Sequence, residues 1–348
     1  MTTMTLFHSA NWRRRSRGVL ARSAQIVVSI FGLLTLTFLI GRVMPVDPVL
    51  SVVGPDADQA SYHQVYLEMG LDRPIWVQYG RYLTHLAHGD LGRALLTGRP
   101  VVEDLARALP ATIELATAAI VLGAALGIPL GVWAAVRRGR MADNVIRLSS
   151  LLGYSTPVFW VGMLGLLVFY RWLGWSGGMG RIGMQYEELV PHITGLILVD
   201  ALLQGKWTVF VDAVRHVTLP ATILGLHSTA YLCRMTRSFM LAQLSQEYIV
   251  TARVKGLSLR RVVWQHAFPN ILVQLLTVVA LTYGSLLEGA VLIESVFAWP
   301  GFGQYLTSSL MLGDMNAVMG CVLIVGLVFT LLNVLTDVLY RVFDPRTR

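Results

Sequence analysis

Two glycine-bearing stretches are where nucleotide chemistry would have to reside. Gly178-Met179-Gly180-Arg181-Ile182-Gly183 fits the letters of a dinucleotide-binding turn, G-x-G-x-x-G. That turn works only between a strand and a helix of a βαβ unit, where the helix N-terminus meets the pyrophosphate. Here it follows a long apolar run, so no dinucleotide site is expected. Gly205-Lys206 resembles the end of a phosphate-binding loop, but Asp200 stands at the first glycine position and Trp207 at the Mg²⁺-holding Ser/Thr position. No cofactor is expected to be bound by this chain.

Catalytic patterns are equally thin. The sequence holds no H-E-x-x-H helix and no G-x-S-x-G elbow. Of the eight histidines, His192, His216 and His266 fall in loops or at the ends of apolar runs. His227 lies inside such a run, where a lone polar side chain more often bonds to a neighbouring helix than does chemistry. Cys233 and Cys321 also sit in apolar runs, so neither a disulfide framework nor a Cys-based zinc site is expected. The acids in apolar surroundings are more informative. Glu114 opens a run, where a carboxylate complements a helix N-terminus. Glu288 falls within a run, Glu294 just past its end, and Asp337 near the end of the last. Glu288 must face protein or a water-filled pathway rather than lipid. Together with His227, and with Tyr154 and Ser155 beside the break at Thr156-Pro157, Glu288 and Glu294 are the candidate pathway or interhelical polar residues. An intramembrane enzyme built on Glu288, Glu294 or His227 is the rival reading.

The elements carrying these residues follow from composition. Of 348 residues, 55% are hydrophobic and 14% charged, against about 25% charged in soluble proteins. Mean hydropathy is +0.60. Neither a soluble domain nor a disordered chain has this profile, and an all-α polytopic membrane protein does. A bilayer takes about 20 helical residues to cross. Six runs meet that demand, at about 23–43, 111–136, 148–172, 217–238, 270–293 and 318–342. Span 2 carries Gly123, Gly127 and Gly131 at intervals of four, a ridge for close helix contact.

Lys and Arg set the orientation. The N-terminus has five, the loop after span 2 four, the loop after span 4 six and the C-terminus three, all in short segments. The opposite side has nine in loops of about 70, 45 and 25 residues. Both termini are therefore expected in the cytoplasm, so the net charge of +8 is a topology signal and no nucleic-acid footprint. The chain divides into a basic N-terminus and first span (1–43), an outer region (44–110), a membrane core (111–342) and a short tail (343–348). The outer region has eight acids against five arginines and is long enough to contain structure of its own. In the second outer loop, Ile193 to Leu203 is too short to cross and is interrupted by Asp200, which suggests an interfacial or re-entrant helix.

The most distinctive segment is the cytoplasmic loop 239–269. It reads as a helix to Lys255, a turn at Gly256, a second short helix capped by Ser258, and a new span from Pro269. Tyr248, Ile249, Val254, Leu257 and Leu259 would form an apolar knob for a partner protein; an amphipathic hairpin on the membrane is the alternative. Gly256, nine residues, then His266-Ala267-Phe268-Pro269 resembles the EAA loop of ABC importer permeases, with Val250-Thr251-Ala252 in the EAA slot. Tyr248-Ile249-x-Thr251-Ala252-Arg253-x-Lys255-Gly256-Leu257 looks like the variant of the dipeptide, oligopeptide and nickel permeases. The likeness includes Met44-Pro45-x-Asp47-Pro48, Gly70-Leu71-Asp72-x-Pro74, Gly89-Asp90-Leu91-Gly92 and Arg234-Met235-Thr236-Arg237-Ser238. It continues in Glu294-x-Val296-Phe297-x-Trp299-Pro300-Gly301-x-Gly303, and departs at Val46 and Ala94, where the family usually has Gly and Ser. Thr194-Gly195-x-x-Leu198-x-Asp200 and Phe210-x-Asp212-Ala213-Val214-x-His216 are similar to dipeptide permeases in particular.

The resemblance implies a type I ABC importer permease of the inner membrane that imports di- or short oligopeptides by alternating access. It implies a second homologous permease, two ATPase subunits that hold ATP and Mg²⁺, and an extracytoplasmic peptide-binding protein meeting the 44–110 region. The coupling loop to an ATPase would comprise Glu247, Tyr248, Thr251, Ala252, Arg253, Lys255, Gly256 and Leu257. A nickel or longer-peptide permease is the alternative within the family.

Overall fold

The computed structural model describes Ala24 and residues 26–41, 47–54, 57–189 and 193–343. Among them the chain is helical, with a single antiparallel pairing between Arg93 and Pro100 and no β-strand. In chain order the helices are α1 (Ile26–Gly41), α2 (Pro48–Val53), α3 (Gln59–Glu68), α4 (Ile75–Ala87), α5 (Val101–Val136), α6 (Met141–Ser155) and α7 (Val158–Gly165). They continue as α8 (Ile197–Leu203), α9 (Trp207–Leu244), α10 (Glu247–Val254), α11 (Leu259–Arg261), α12 (Leu272–Val296), α13 (Phe302–Leu312) and α14 (Met315–Phe343).

Four helical stretches among the described residues are long and apolar enough to cross a membrane: Val101–Val136, Trp207–Leu244, Leu259–Val296 and Met315–Val334. A fifth is Met141–Gly153 with Val158–Trp172, if this pair, bent by 93°, counts as one span. Pro157 causes the bend, because it drives Thr156 to an extended ψ of 131°. The first run of the sequence corresponds to the shorter apolar helix Ile26–Gly41. Both chain termini, Met44-Pro45 and His192 lie outside the described residues, as do the side chains of Tyr154 and Asp337.

The helices outgrow the apolar runs that announce them. At 1.5 Å per residue, the 38 residues of α9 extend about 57 Å, against a hydrocarbon core of about 30 Å. Likewise α5 begins at Val101, ten residues before the run at 111, and carries Pro110 and Pro129 within it. Glu114 is therefore well inside α5 rather than at its N-terminus, where Glu103 and Asp104 stand instead.

The chain forms two compact units. One gathers the residues up to Asp104 with Ser309–Leu331. Here α1 meets α4 through Phe38 against Tyr79 and Tyr82, and through a 2.7 Å bond between Thr35 Oγ1 and the Tyr79 hydroxyl. Asp47 caps α2 by accepting from the Val49 N–H at 2.8 Å, and receives the Tyr62 hydroxyl at 2.7 Å. Asp314 caps α14 and accepts the Leu95 N–H at 2.6 Å, pinning the loop after α4.

The second unit, Leu105–Ser308 with the chain from Leu332, is built on α5 against α9. A Cβ on Gly127 would lie 2.7 Å from the Thr229 carbonyl oxygen, and one on Gly131 2.6 Å from that of Cys233. The glycine ridge thus lets two backbones meet. Leu115, Ala119, Leu224, Leu232, Ile293 and Phe297 fill the core beside it.

Candidate functional site

One turn of α5, at residues 111–114, organises one end of the second unit. Ala111 offers its carbonyl to the Trp299 indole N–H at 2.9 Å. Thr112 donates its hydroxyl to Glu294 Oε1 at 2.5 Å and accepts the Phe302 N–H at 2.8 Å. Glu114 accepts from Arg181 Nη2 at 2.5 Å and from the Leu198 N–H at 2.7 Å. Glu294 is fully buried; its second oxygen receives the N–H groups of Gly303 at 2.6 Å and Gln304 at 3.1 Å. Gly301 lies so close to this carboxylate that any side chain there would displace it. Glu294, in the sequence a candidate for the pathway or for an interhelical polar contact, serves as an interhelical tie. Its motif with Trp299, Gly301 and Gly303 is the wiring of that tie.

The glycine run 178–183 is held by the protein's own groups. The Gly180 N–H donates to the Phe297 carbonyl at 2.9 Å, the Gly183 N–H to Asp212 at 2.6 Å, and Arg181 to Glu114. Asp200, buried in α8, accepts the N–H groups of Ile193, Thr194 and Gly195 and the Thr194 hydroxyl. Burial alone would raise its carboxyl, but those bonds together outweigh it and hold the group below the usual range. It interrupts the apolar piece in order to fold the loop before it.

At the other end of α9, the chain turns into α10 and back. The Tyr248 hydroxyl donates to Gln243 at 2.9 Å and accepts from Asn270 at 3.0 Å, tying α10 to the end of α9 and the start of α12. Ile249 and Ala252 are buried with Val132, Met240, Val262, Val263 and Ile271. Ile249 therefore anchors the knob and is no part of its outer surface, since positions 249 and 252 share the inward face of the helix. Outward stand Val250, Val254 and Leu259, rimmed by the exposed Glu247, Thr251, Arg253, Lys255, Arg260 and Arg261. Gly256 reverses the chain at φ 81°, with its N–H on the Arg253 carbonyl at 2.9 Å and the Leu257 N–H on Ala252 at 3.3 Å. This is a left-handed helix stop that favours glycine.

Ser258 follows with extended backbone, but its side chain makes no capping bond. The second helix is also not separate. α11 passes through a π turn at Val262–Ala267 and a 3₁₀ turn at Phe268–Ile271 into α12. Pro269, which has no N–H to donate, is accommodated by this change of winding instead of starting the span.

The remaining candidates are dispersed. Ser155 is exposed at the end of α6, and His227 is half-buried on α9. Glu288 is exposed on α12. Sequence reasoning missed Asp143, which accepts Arg237 Nε at 2.6 Å and Nη2 at 2.8 Å as well as the Gly139 N–H. This ties the first turn of α6, and through Gly139 the loop before it, to α9, and explains the second arginine of Arg234-Met235-Thr236-Arg237. An acid three residues after Arg140 was the available signal.

Comparison with known families decides what this architecture is. The profile described as "Binding-protein-dependent transport system inner membrane component" matches residues 127–348, and that of the N-terminal part of such membrane components matches residues 16–116. The chain belongs to this permease family. The permease is 42% identical over 321 residues to the probable D,D-dipeptide transport system permease protein DdpB of Escherichia coli K12, covering 92% of this chain and 94% of that protein. It is 40% identical over 328 residues to the di/tripeptide transport system permease protein DppB of Pseudomonas aeruginosa UCBPP-PA14, covering 94% and 97%. The dipeptide transport system permease protein DppB of E. coli K12 is 40% identical over 333 residues, covering 95% and 98%. An inward-facing structure of the MetNI methionine ABC transporter superposes with a TM-score of 0.51 at 17% identity, over 69% of this chain and 96% of that one. The permease thus has the fold of an ABC transporter membrane subunit and is a multi-pass inner-membrane component.

Proposed function

We propose that this permease is one transmembrane half of an ATP-driven importer of dipeptides and other short peptides. It pairs with a second, homologous permease; two cytosolic ATPases hold ATP and Mg²⁺; and an extracytoplasmic binding protein delivers the peptide to the outer surface. Six spans with both termini in the cytoplasm put the α10–Gly256–α11 knob on the ATPase side. The dipeptide transport named for its 40–42% identical relatives supports the substrate class.

The observation that carries this reading is the construction of the knob. Its inner face, Ile249 and Ala252, is built into the core. Tyr248 is bonded to both flanking helices, while Val250, Val254 and Leu259 are left uncovered. Such an element moves only with α9 and α12, so a displacement imposed by an ATPase becomes a displacement of the spans. ATP and the delivered peptide must then bind the inward-open and outward-open states with different affinities, since equal affinity shifts nothing.

The test is Gly256→Val in the full complex. A Cβ at Gly256 meets nothing within 4 Å, so the change strains the backbone without a clash. The expected result is a protein still inserted at normal levels, with peptide uptake lost and ATP hydrolysis no longer responsive to the binding protein. Uptake at wild-type rate would refute the coupling role.

A further inference from the structure

The exposed residues of α12 include Gln274, Leu281, Ser285, Glu288, Leu292 and Ser295. Their steps of seven, four, three, four and three place them on one face of the helix. Four of the six are polar, and one is ionisable, on a stretch otherwise apolar enough to cross a membrane. Glu288 lies eight residues before the end of α12 at Val296, about 12 Å inside the helix. Among the described residues, no hydrogen bond or ion pair holds its carboxylate. Beside it, Gly289 leaves open space where a side chain would stand. The contrast within the same unit is sharp. Glu114 of α5 and Glu294 of α12 are both buried and partnered.

A carboxylate on a membrane span persists where water, a cation or a passing ligand meets it, and not against lipid. A dipeptide is zwitterionic, and its amino terminus, with an ordinary pKa of about 7.7–8.0, is mostly protonated at neutral pH. We infer that Glu288 is the counter-charge for the peptide's α-ammonium group in the translocation pathway, with Ser285 and Ser295 offering hydrogen bonds along the same stripe. This inference rests on the importer reading above. A single carboxylate flanked by hydroxyls suits transport, because a pathway must hold its cargo strongly enough to admit it and weakly enough to let it go.

The test uses proteoliposomes holding the complete complex, with L-Ala-L-Ala as the probe and ATP hydrolysis measured in parallel. Glu288→Gln is expected to lower uptake roughly tenfold or more, the effect of losing a hydrogen bond to a charged group. ATP hydrolysis stimulated by the binding protein should remain within about twofold of wild type, and Glu288→Asp should recover a substantial part of the uptake. Uptake by Glu288→Gln within about twofold of wild type would overturn the inference. So would a joint loss of uptake, stimulated hydrolysis and recovery of the complex, which would mark Glu288 as a contact to the second permease. Failure of the wild-type complex to transport any dipeptide would instead strike the importer reading.

Discussion

Arg181 and Glu114 show how single residues hold helices of this permease together. Their 2.5 Å contact is almost fully buried, and Arg181 also lies with its guanidinium 5.8 Å from the Trp299 ring centroid. Removing one member of such a pair leaves an uncompensated charge, at a cost of about 3–5 kcal/mol, whereas replacing both with apolar groups costs less. Glu114→Met and Arg181→Met should each lower the melting temperature of the purified complex, and the double variant should melt above either single one. A double variant melting below both would show that the hydrogen bonds to Leu198 and Gly195 matter more than the charge balance. None of this was legible in the sequence. Hydropathy placed the start of the helix at 111 because Glu103, Asp104, Arg107 and Pro110 read as loop, so Glu114 looked like an end residue. Its partner lies 67 positions away, in a glycine run that imitates a nucleotide motif. By contrast, Glu288 stood out in its apolar run as a pathway or interhelical residue because a carboxylate against lipid is costly, although one residue in a run does not say which of the two it is.

The elements divide in the same way. The glycine ridge of α5 announced its packing through spacing alone, and so did the turn at Gly256, whereas the helix expected up to Lys255 breaks between Leu244 and Glu247 and the second short helix runs on into α12. What the pattern did not contain was the winding around Pro269, or the turn of Ile249 into the core, since both depend on where α5, α9 and α12 lie. The six-residue helix α2 depends on its cap. The Tyr62 hydroxyl above all, with the N–H groups of Val49 and Leu50, holds the Asp47 carboxyl below the usual carboxylate range, against a smaller effect of burial. A carboxyl lowered by folding contributes stability that is complete above its unfolded pKa of about 4 and is lost as pH falls through the folded value. Hydrogen-exchange protection of the Val49 and Leu50 amides should therefore be full at neutral pH and fall on acidification below about 4. Asp47→Asn should lose most of that acid dependence. An unchanged acid response in this variant would remove Asp47 as its source.

At the scale of the whole molecule, composition was sufficient to indicate a polytopic membrane protein, because it reflects the bilayer as solvent and not any detail of packing. The permease itself was legible only through the resemblance of the 239–269 and 294–303 motifs. The boundaries were harder, since α5 and α9 run on past the hydrocarbon and polar helical turns leave no hydropathy signal. In the proposed importer the knob at 247–261 lies in the cytoplasm and carries ATPase motion into α9 and α12. Val254, 83% exposed at its tip, is the position to probe. In the complete complex, Val254→Cys should be labelled by a membrane-impermeant maleimide only from the cytoplasmic side, and a short bifunctional maleimide should join it to an ATPase subunit with a yield that changes on nucleotide binding. The native Cys233 and Cys321, both buried, serve as the background control. Labelling from the outer side, or a cross-link to the binding protein, would contradict the account.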